Sequence, residues 1–187
     1  MLRLSALYRY PLKSGKGEIL QQVGLDKLGL DGDRRWMLVD EASGRFLTQR
    51  AVAQMSQLSA LWNAEGGLTL SAPGHAPIDV ALPASDAQLR GVTIWRDSLR
   101  VPDAGDAAAA WVSRFIGKPT RLVQVPLDRA RTTASGYGQD DDQVAFADGF
   151  PLLLIGQASL ADLSQRVGRP LGMLRFRPNL VIEGWER

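Results

Sequence analysis

Tyr10-Pro11-Leu12-Lys13-Ser14-Gly15-Lys16-Gly17 places two ammonium groups, a hydroxyl and two glycines in one short stretch. Pro11 has no N–H to give to a ladder, so it belongs at a strand end or edge. Gly15 and Gly17 permit positive φ and close approach of the backbone to a ligand. Lysines among small residues and free amides suit an anion, and phosphate first. The spacing differs from GxxxxGK[ST], which excludes a Walker loop. The same residues also make an ordinary lysine-bearing hairpin turn, and the stretch by itself does not separate the two.

Two further basic groups bear on that choice. Asp33-Arg34-Arg35-Trp36 puts adjacent arginines at the start of a strand, where alternation sends them to opposite faces, one to solvent and one to a cleft. Arg175-Phe176-Arg177-Pro178-Asn179, read as extended, sets two arginines on one face beside a rigid proline and an amide. Forked guanidinium groups with an amide that both donates and accepts can grip a phosphate or a pterin; a solvated strand end is the other reading. Asp140-Asp141-Asp142 reads as a solvated acidic run rather than a cation site. His75, in Pro73-Gly74-His75-Ala76-Pro77, reads as a surface turn without a catalytic role. No Ser-His-Asp order, HExxH motif or paired carboxylates stand out, so no catalytic residue is assigned.

The chain that must position these groups has 187 residues, 45% hydrophobic and 22% charged, enough for a sizeable core in one large domain or two small ones. A formal charge of +2 does not suggest a duplex nucleic-acid binder. There are no cysteines, which removes disulfides and thiolate metal sites within these residues. MLRLSALYRY lacks a continuous apolar segment and is neither a signal peptide nor a membrane span, so a cytoplasmic protein is expected.

Leu2, Leu4, Ala6 and Tyr8 alternate with Arg3, Ser5 and Arg9, the period of a half-buried strand. Further strands are expected over 18–25, 34–40, 45–49, 58–62, 68–70, 78–81, 92–101 as a hairpin, 121–125 and 180–183. Asp103 or Asp106 is expected to cap a helix over 107–116, and Ser159 one opened by Gln157-Ala158 and stopped by Gly168 and Pro170. Residues 129–142 are polar and read as a mobile or functional loop. Short strands with frequent turns predict a mainly β (α+β) barrel or sandwich with an anion site. The five tryptophans read as core and barrel-rim residues.

In order along the chain, Tyr10-Pro11-Leu12-Lys13-Ser14, Asp33-Arg34-Arg35-Trp36, Phe146-Ala147-Asp148-Gly149-Phe150-Pro151, Gln157-Ala158-Ser159-Leu160-Ala161-Asp162-Leu163 and Phe176-Arg177-Pro178-Asn179 resemble the two-domain MOSC family, which includes amidoxime-reducing components and bacterial reductases of N-hydroxylated bases. The resemblance implies a MOSC N-terminal β-barrel over 1–120 and the first part of a second, MOSC-type β-barrel over 121–187. It implies a molybdenum–molybdopterin cofactor between them, met by Lys13, Ser14, Arg34, Arg177 and Asn179. An N-hydroxylated small-molecule substrate and a flavoprotein or iron–sulfur redox partner follow, with neither nucleic acid nor membrane, and pyridoxal phosphate binding accompanies the family. Where relatives carry hydroxyl residues this chain has Gly149 and Phe150, so contact there must be through the backbone. The family's molybdenum ligand is a cysteine beyond the F-R-P-N strand; this chain has none, so no metal ligand is assigned, a fragment is expected, and it is expected to bind no cofactor and to be inactive alone. The competing readings are a non-catalytic anion- or protein-binding β-barrel module and a sulfur-transfer MOSC protein.

Overall fold

A computed structural model describes residues 1–187 apart from 64, 134, 135, 140, 186 and 187. Strands hold 37% of the chain and helices 17%, so sheet closure rather than helix packing builds the core. The front half contains β1 (Arg3–Arg9), β2 (Glu18–Leu20), β3 (Leu25–Asp26), β4 (Gly29–Leu30), β5 (Trp36–Asp40), β6 (Ser59–Trp62), β7 (Leu68–Ala72), β8 (His75–Val80), β9 (Leu89–Ile94) and β10 (Asp97–Pro102). Then come α1 (Asp106–Ile116), β11 (Thr120–Gln124), β12 (Arg131–Thr132), β13 (Gln143–Val144), β14 (Leu154–Gly156), α2 (Gln157–Val167) and β15 (Leu180–Glu183).

The barrel closes through single bridges between short ribbons. β11 pairs antiparallel with β5, and β9 with β10. Val39 of β5 bridges Phe46, Arg45 bridges Thr93 of β9, and Asp103, just past β10, bridges Val123 of β11. The circuit β5, residues 45–46, β9, β10, β11 and back to β5 has no open edge, which is how a small all-β unit hides its unpaired backbone groups. Residues 45–46 therefore join the barrel by bridges and not as the longer strand expected.

β5 shows why the pattern closes this way. Trp36, Met37, Leu38 and Val39 are all fully buried, but they alternate between two cores. Met37 and Val39 point inward with Val92, Ile94, Val101, Val123 and Phe146. Trp36 and Leu38 point outward to an apolar layer of Leu58, Leu68, Leu70, Trp111 and Val112, supplied by the β6–β7–β8 sheet and α1. A strand buried on both faces reads as a continuous apolar run. A second sheet, in the order β14–β15–β1–β2, ties the chain's first strand to its last: β15 runs antiparallel to β1 and parallel to β14.

Several local expectations meet a different outcome. Neither helix has a side-chain N-cap; Gly105 and Gly156 occupy those positions. Asp103 instead accepts from Arg121, Arg90 and the Gly105 N–H, fastening the start of α1 to β11. His75 is half-buried with its ring edge-on to Trp111 and Phe115. The polar stretch 129–142 contributes β12 to a hairpin with β13. Within it Arg131 is buried, donating to Ala145 O at 3.2 Å, to Ala147 O and to Asp97 at 2.7 Å. Of the acidic run, Asp141 and Asp142 are exposed and Asp140 lies outside the described residues.

Candidate functional site: a basic cavity at the barrel mouth

The motifs singled out in the sequence are hydrogen-bonded to one another through the backbone. Arg34 N donates to Tyr10 O at 2.7 Å, Trp36 N to Pro11 O at 3.0 Å, and Lys13 N to Trp36 O at 2.7 Å. Residues 10–13 thus run beside 34–36, with Leu12 bridging Trp36 in parallel. Phe146 N donates to Arg34 O at 3.0 Å, Tyr8 N to Asn179 O at 2.8 Å, and Asn179 N to Leu153 O at 2.8 Å. These bonds set four separate stretches around one cavity of about 400 Å³. Lys13, Ser14, Arg34, Arg177 and Asn179 all line it.

Lys13 lies almost wholly inside, its side chain 7% exposed, and its Nζ donates to Phe146 O at 2.7 Å and to Asp148 Oδ1 at 2.6 Å. The rings of Phe46 and Trp95 stand 5.5 and 5.7 Å from Nζ. Burial pushes this ammonium down to about 8, against the upward pull of Asp148. Burial acts to raise the Asp148 carboxyl, yet the Lys13 charge and hydrogen bond hold it below the usual carboxylate range.

Arg34 and Arg177 share a support. Tyr10, 1% exposed, has the Arg34 Cζ 4.6 Å and the Arg177 Cζ 4.2 Å from its ring centroid. Arg34 Nη1 donates to Asp33 Oδ2 at 2.6 Å and Asn179 Oδ1 at 2.9 Å, and Nη2 to Arg177 O at 2.9 Å. Arg177 Nη1 donates to Gly15 O, while its Nη2 is buried with no partner among the described residues. Burial, then the neighbouring Arg34, pushes the Arg177 guanidinium down to about 10, so it stays charged at neutral pH. Burial pushes the Tyr10 phenol up to about 12, the two guanidinium groups opposing. Asn179 is fully buried: its Oδ1 also accepts from Leu153 N at 3.2 Å, and its Nδ2 donates to Tyr8 O at 3.2 Å.

The backbone is strained here and, among the described non-glycine residues, only here. Ser14, Arg34, Trp95 and Arg177 have φ of 61°, 49°, 54° and 56°, and all four line the cavity. Non-glycine residues in this region cost of order 1–3 kcal/mol each and gather at ligand sites. The turn in the 10–17 loop is therefore made by Ser14, not by its glycines. Gly17 is needed for space, since a Cβ there would collide with the Tyr10 ring. Arg177, with its positive φ after the 3₁₀ turn Met173–Arg175, also departs from the extended 175–179 reading, so Arg175 and Arg177 do not share one strand face. Arg34 and Arg35 do diverge, but not by strand alternation with one in solvent: both precede β5, Arg34 has positive φ, and Arg35 turns from the cavity to a buried seat against Asp26.

The cavity wall also holds residues that the sequence reading passed over. Arg50 is exposed and lies 5.6 Å from the Trp95 ring; Thr48, Gln49 and Asp148 line the wall as well, with Gln49 Nε2 donating to Ser14 O at 2.9 Å. Thr48 and Gln49 end the stretch read as a strand and Arg50 directly follows it, so a basic residue just past a strand end was the available signal. Gly149 and Phe150 line the cavity too. Lys13, Arg34, Arg50 and Arg177 line the cavity with one carboxylate, Asp148, and with Asp33 behind the wall on Arg34, so the lining carries more positive than negative charge. Among the described residues no cluster of three His, Cys, Asp or Glu could hold a metal ion. No described helix is long and apolar enough to cross a membrane.

Fold and site together define a β-barrel protein with a cationic cleft beside its first strand. Residues 1–119 match the MOSC N-terminal beta barrel domain and residues 141–187 the MOSC domain, and the chain belongs to the MOSC family. It is similar to mitochondrial amidoxime reducing component 2 of Rattus norvegicus, 32% identical over 195 residues that cover 98% of this chain and 57% of that protein. It is similar to the human mitochondrial amidoxime-reducing component 1, 31% identical over 97% of this chain and 56% of that protein. Molybdenum cofactor sulfurase of Oryza sativa subsp. japonica is 29% identical over 98% of this chain and 24% of its own length. The chain thus spans little more than half the length of the amidoxime-reducing relatives.

Proposed function

We propose that the cavity holds the phosphate-bearing end of a molybdopterin, and that the chain is the front portion of a molybdenum-dependent reductase of N-hydroxylated compounds. The observation that carries the reading is the convergence of Lys13, Arg34, Arg50 and Arg177 on one cavity whose wall bears one carboxylate. The donor set fits the anionic end of such a group: two forked guanidinium groups, an ammonium, and the Ser14 hydroxyl. It offers nothing soft for the metal, since the chain has no cysteine. When bound, the cofactor would supply the two-electron chemistry that side chains lack.

The residues here have narrower tasks. Lys13, Arg34 and Arg177 neutralise the phosphate, and the Arg177 Nη2 gains an acceptor. Asn179 fixes the Arg34 guanidinium and the 153 backbone, orienting the pterin side of the cleft. Trp95 and Phe46 shield the Lys13 charge from water. The division into a barrel to about residue 120 and the start of a second from 121 belongs to this proposal; β11 pairs with β5 across that line. A redox partner carrying flavin or iron–sulfur would deliver electrons. The molybdenum cofactor sulfurase likeness supports the cofactor part of the reading without favouring reduction over sulfur transfer.

The test is calorimetric titration of molybdopterin, released from a holoenzyme and kept anaerobic, into wild type and Arg34→Gln. Binding by wild type that is weakened at least tenfold in the variant supports the cradle. A wild-type chain that takes up neither molybdopterin nor phosphate refutes it.

A further inference from the structure

The cavity brings two guanidinium groups together with little carboxylate nearby, and something must hold them. Asp33 takes one nitrogen of Arg34 at 2.6 Å, but Arg177 has no carboxylate partner at all among the described residues. What both touch is the ring of Tyr10. That ring is itself locked: Tyr10 N donates to the buried Asp33 Oδ1 at 2.8 Å, its carbonyl accepts from Arg34 N, and Gly17 lies flush against one edge. A buried tyrosine ordinarily finds a partner for its hydroxyl. Here the hydroxyl is buried with none among the described residues, so the aromatic face is what the site uses.

We propose that Tyr10 is a positioning residue for the anion site. Its ring is the shared cation–π platform that holds Arg34 and Arg177 as a pre-formed pair facing the cavity. An aromatic quadrupole attracts each cation while adding no negative charge. Asp33 already balances part of the Arg34 charge, so the ring holds Arg177 beside Arg34 without bringing in a second carboxylate, which an Asp or Glu in the same place would not allow. A ligand phosphate then meets two guanidinium groups already in position, and little side-chain freedom is lost on binding. The inference rests on the anion reading of this cavity and adds to it the residue that organises its charges.

Three substitutions at this seat separate a platform from ordinary core packing. Tyr10→Phe keeps the ring and drops the unpartnered hydroxyl; it should retain sulfate affinity within about twofold. Tyr10→Leu keeps an apolar side chain and loses the π face; sulfate should bind about five- to thirtyfold more weakly, the loss of one to two cation–π contacts. In an Arg177→Ala background the Tyr10→Leu loss should shrink to about threefold or less, because a residue that acts through Arg177 cannot act twice. Gly17→Ala, which drives a Cβ into the ring edge, should mimic Tyr10→Leu while leaving the ring in the chain. The guanidinium Nε–H resonances of Arg34 and Arg177 read the geometry directly. They should be shielded by the ring in wild type and Tyr10→Phe and return to the free-arginine position in Tyr10→Leu. Equal sulfate affinity for Tyr10→Leu and wild type, an equal loss in Tyr10→Phe, or full additivity with Arg177→Ala would each overturn the platform while leaving the anion site standing. A wild type that binds no sulfate would remove both.

Discussion

Raising the pH should loosen the anion and tighten the fold at the same time, and both effects trace to Lys13. Its side chain is only 7% exposed and its ammonium titrates near 8, burial being the leading cause. An anion in the cavity needs the charged form, and sulfate is a suitable probe because it does not titrate in this range. Sulfate affinity should be flat from pH 6 to 7, fall by up to about tenfold by pH 9, and level off once the roughly ten- to hundredfold contribution of one charge is lost, as expected when one proton is linked to binding. Stability moves the other way. The folded pKa lies below the unfolded value of 10.5, so between pH 8 and 10.5 the unfolded chain binds more protons, and unfolding free energy rises with pH. The gain from this group reaches about 3 kcal/mol at most, since each pH unit between the folded and unfolded values is worth about 1.36 kcal/mol. Calorimetric titration of sulfate and urea unfolding, each at half-unit intervals of pH, read the two limbs. Lys13→Met should flatten both between pH 7 and 9.5. A sulfate affinity that ignores pH in wild type, or one that keeps the same slope in Lys13→Met, would refute the role given to this lysine.

Other expectations are narrower. Asn179→Ala strips Arg34 and the Leu153 N–H of a buried acceptor and should cost about 2–3 kcal/mol in urea unfolding. Asp103→Ala leaves Arg121 and Arg90 without their buried carboxylate and should cost about 3–5 kcal/mol. Burial works to raise Asp103, but Arg121 and Arg90 hold it below the ordinary value of 3.8, so its contribution is present above that value and disappears on acidification through the lowered one. Elemental analysis of the purified chain should find well under one molybdenum per molecule, because no thiolate is available to hold it; a stoichiometric metal would show that a ligand other than cysteine serves.

Much of the architecture could be read from residue order, and the reasons are local. Trp36-Met37-Leu38-Val39 is apolar at every position because β5 is buried on both faces, so its existence was plain while its place between two cores was not. The hairpin of β9 and β10 and both helices follow from periodicity with glycine stops, and α1 and α2 end at Gly117 and Gly168 in left-handed conformation. Barrel closure was illegible because it depends on single bridges such as Arg45 to Thr93, which leave no periodic trace. At the cavity, residue type pointed to the 10–17, 33–36 and 175–179 stretches, the family resemblance selected Lys13, Ser14, Arg34, Arg177 and Asn179 within them, and the fold brings those five together. Their backbone was misjudged, since nothing in Ser14, Arg34 or Arg177 as residue types announces a positive φ. Trp95 and Arg50 were missed for a related reason: each reaches the cavity from a distant loop. Tyr10 was visible only as the start of a motif, because its two cationic neighbours lie 24 and 167 residues away in the chain.

The most direct measurement on the central claim is the sulfate affinity of Arg177→Ala against wild type at pH 7. Charge-assisted bonds to a partly buried anion contribute about 1.5–3 kcal/mol each, so the variant should bind about ten- to a hundredfold more weakly. Arg177→Lys should recover part of the loss, since an ammonium lacks the fork. Arg129→Ala, away from the cavity and paired only loosely with Asp128 at 3.9 Å, should match wild type. Equal affinities for Arg177→Ala and wild type would contradict the account, because the cavity would then hold its cations without using them.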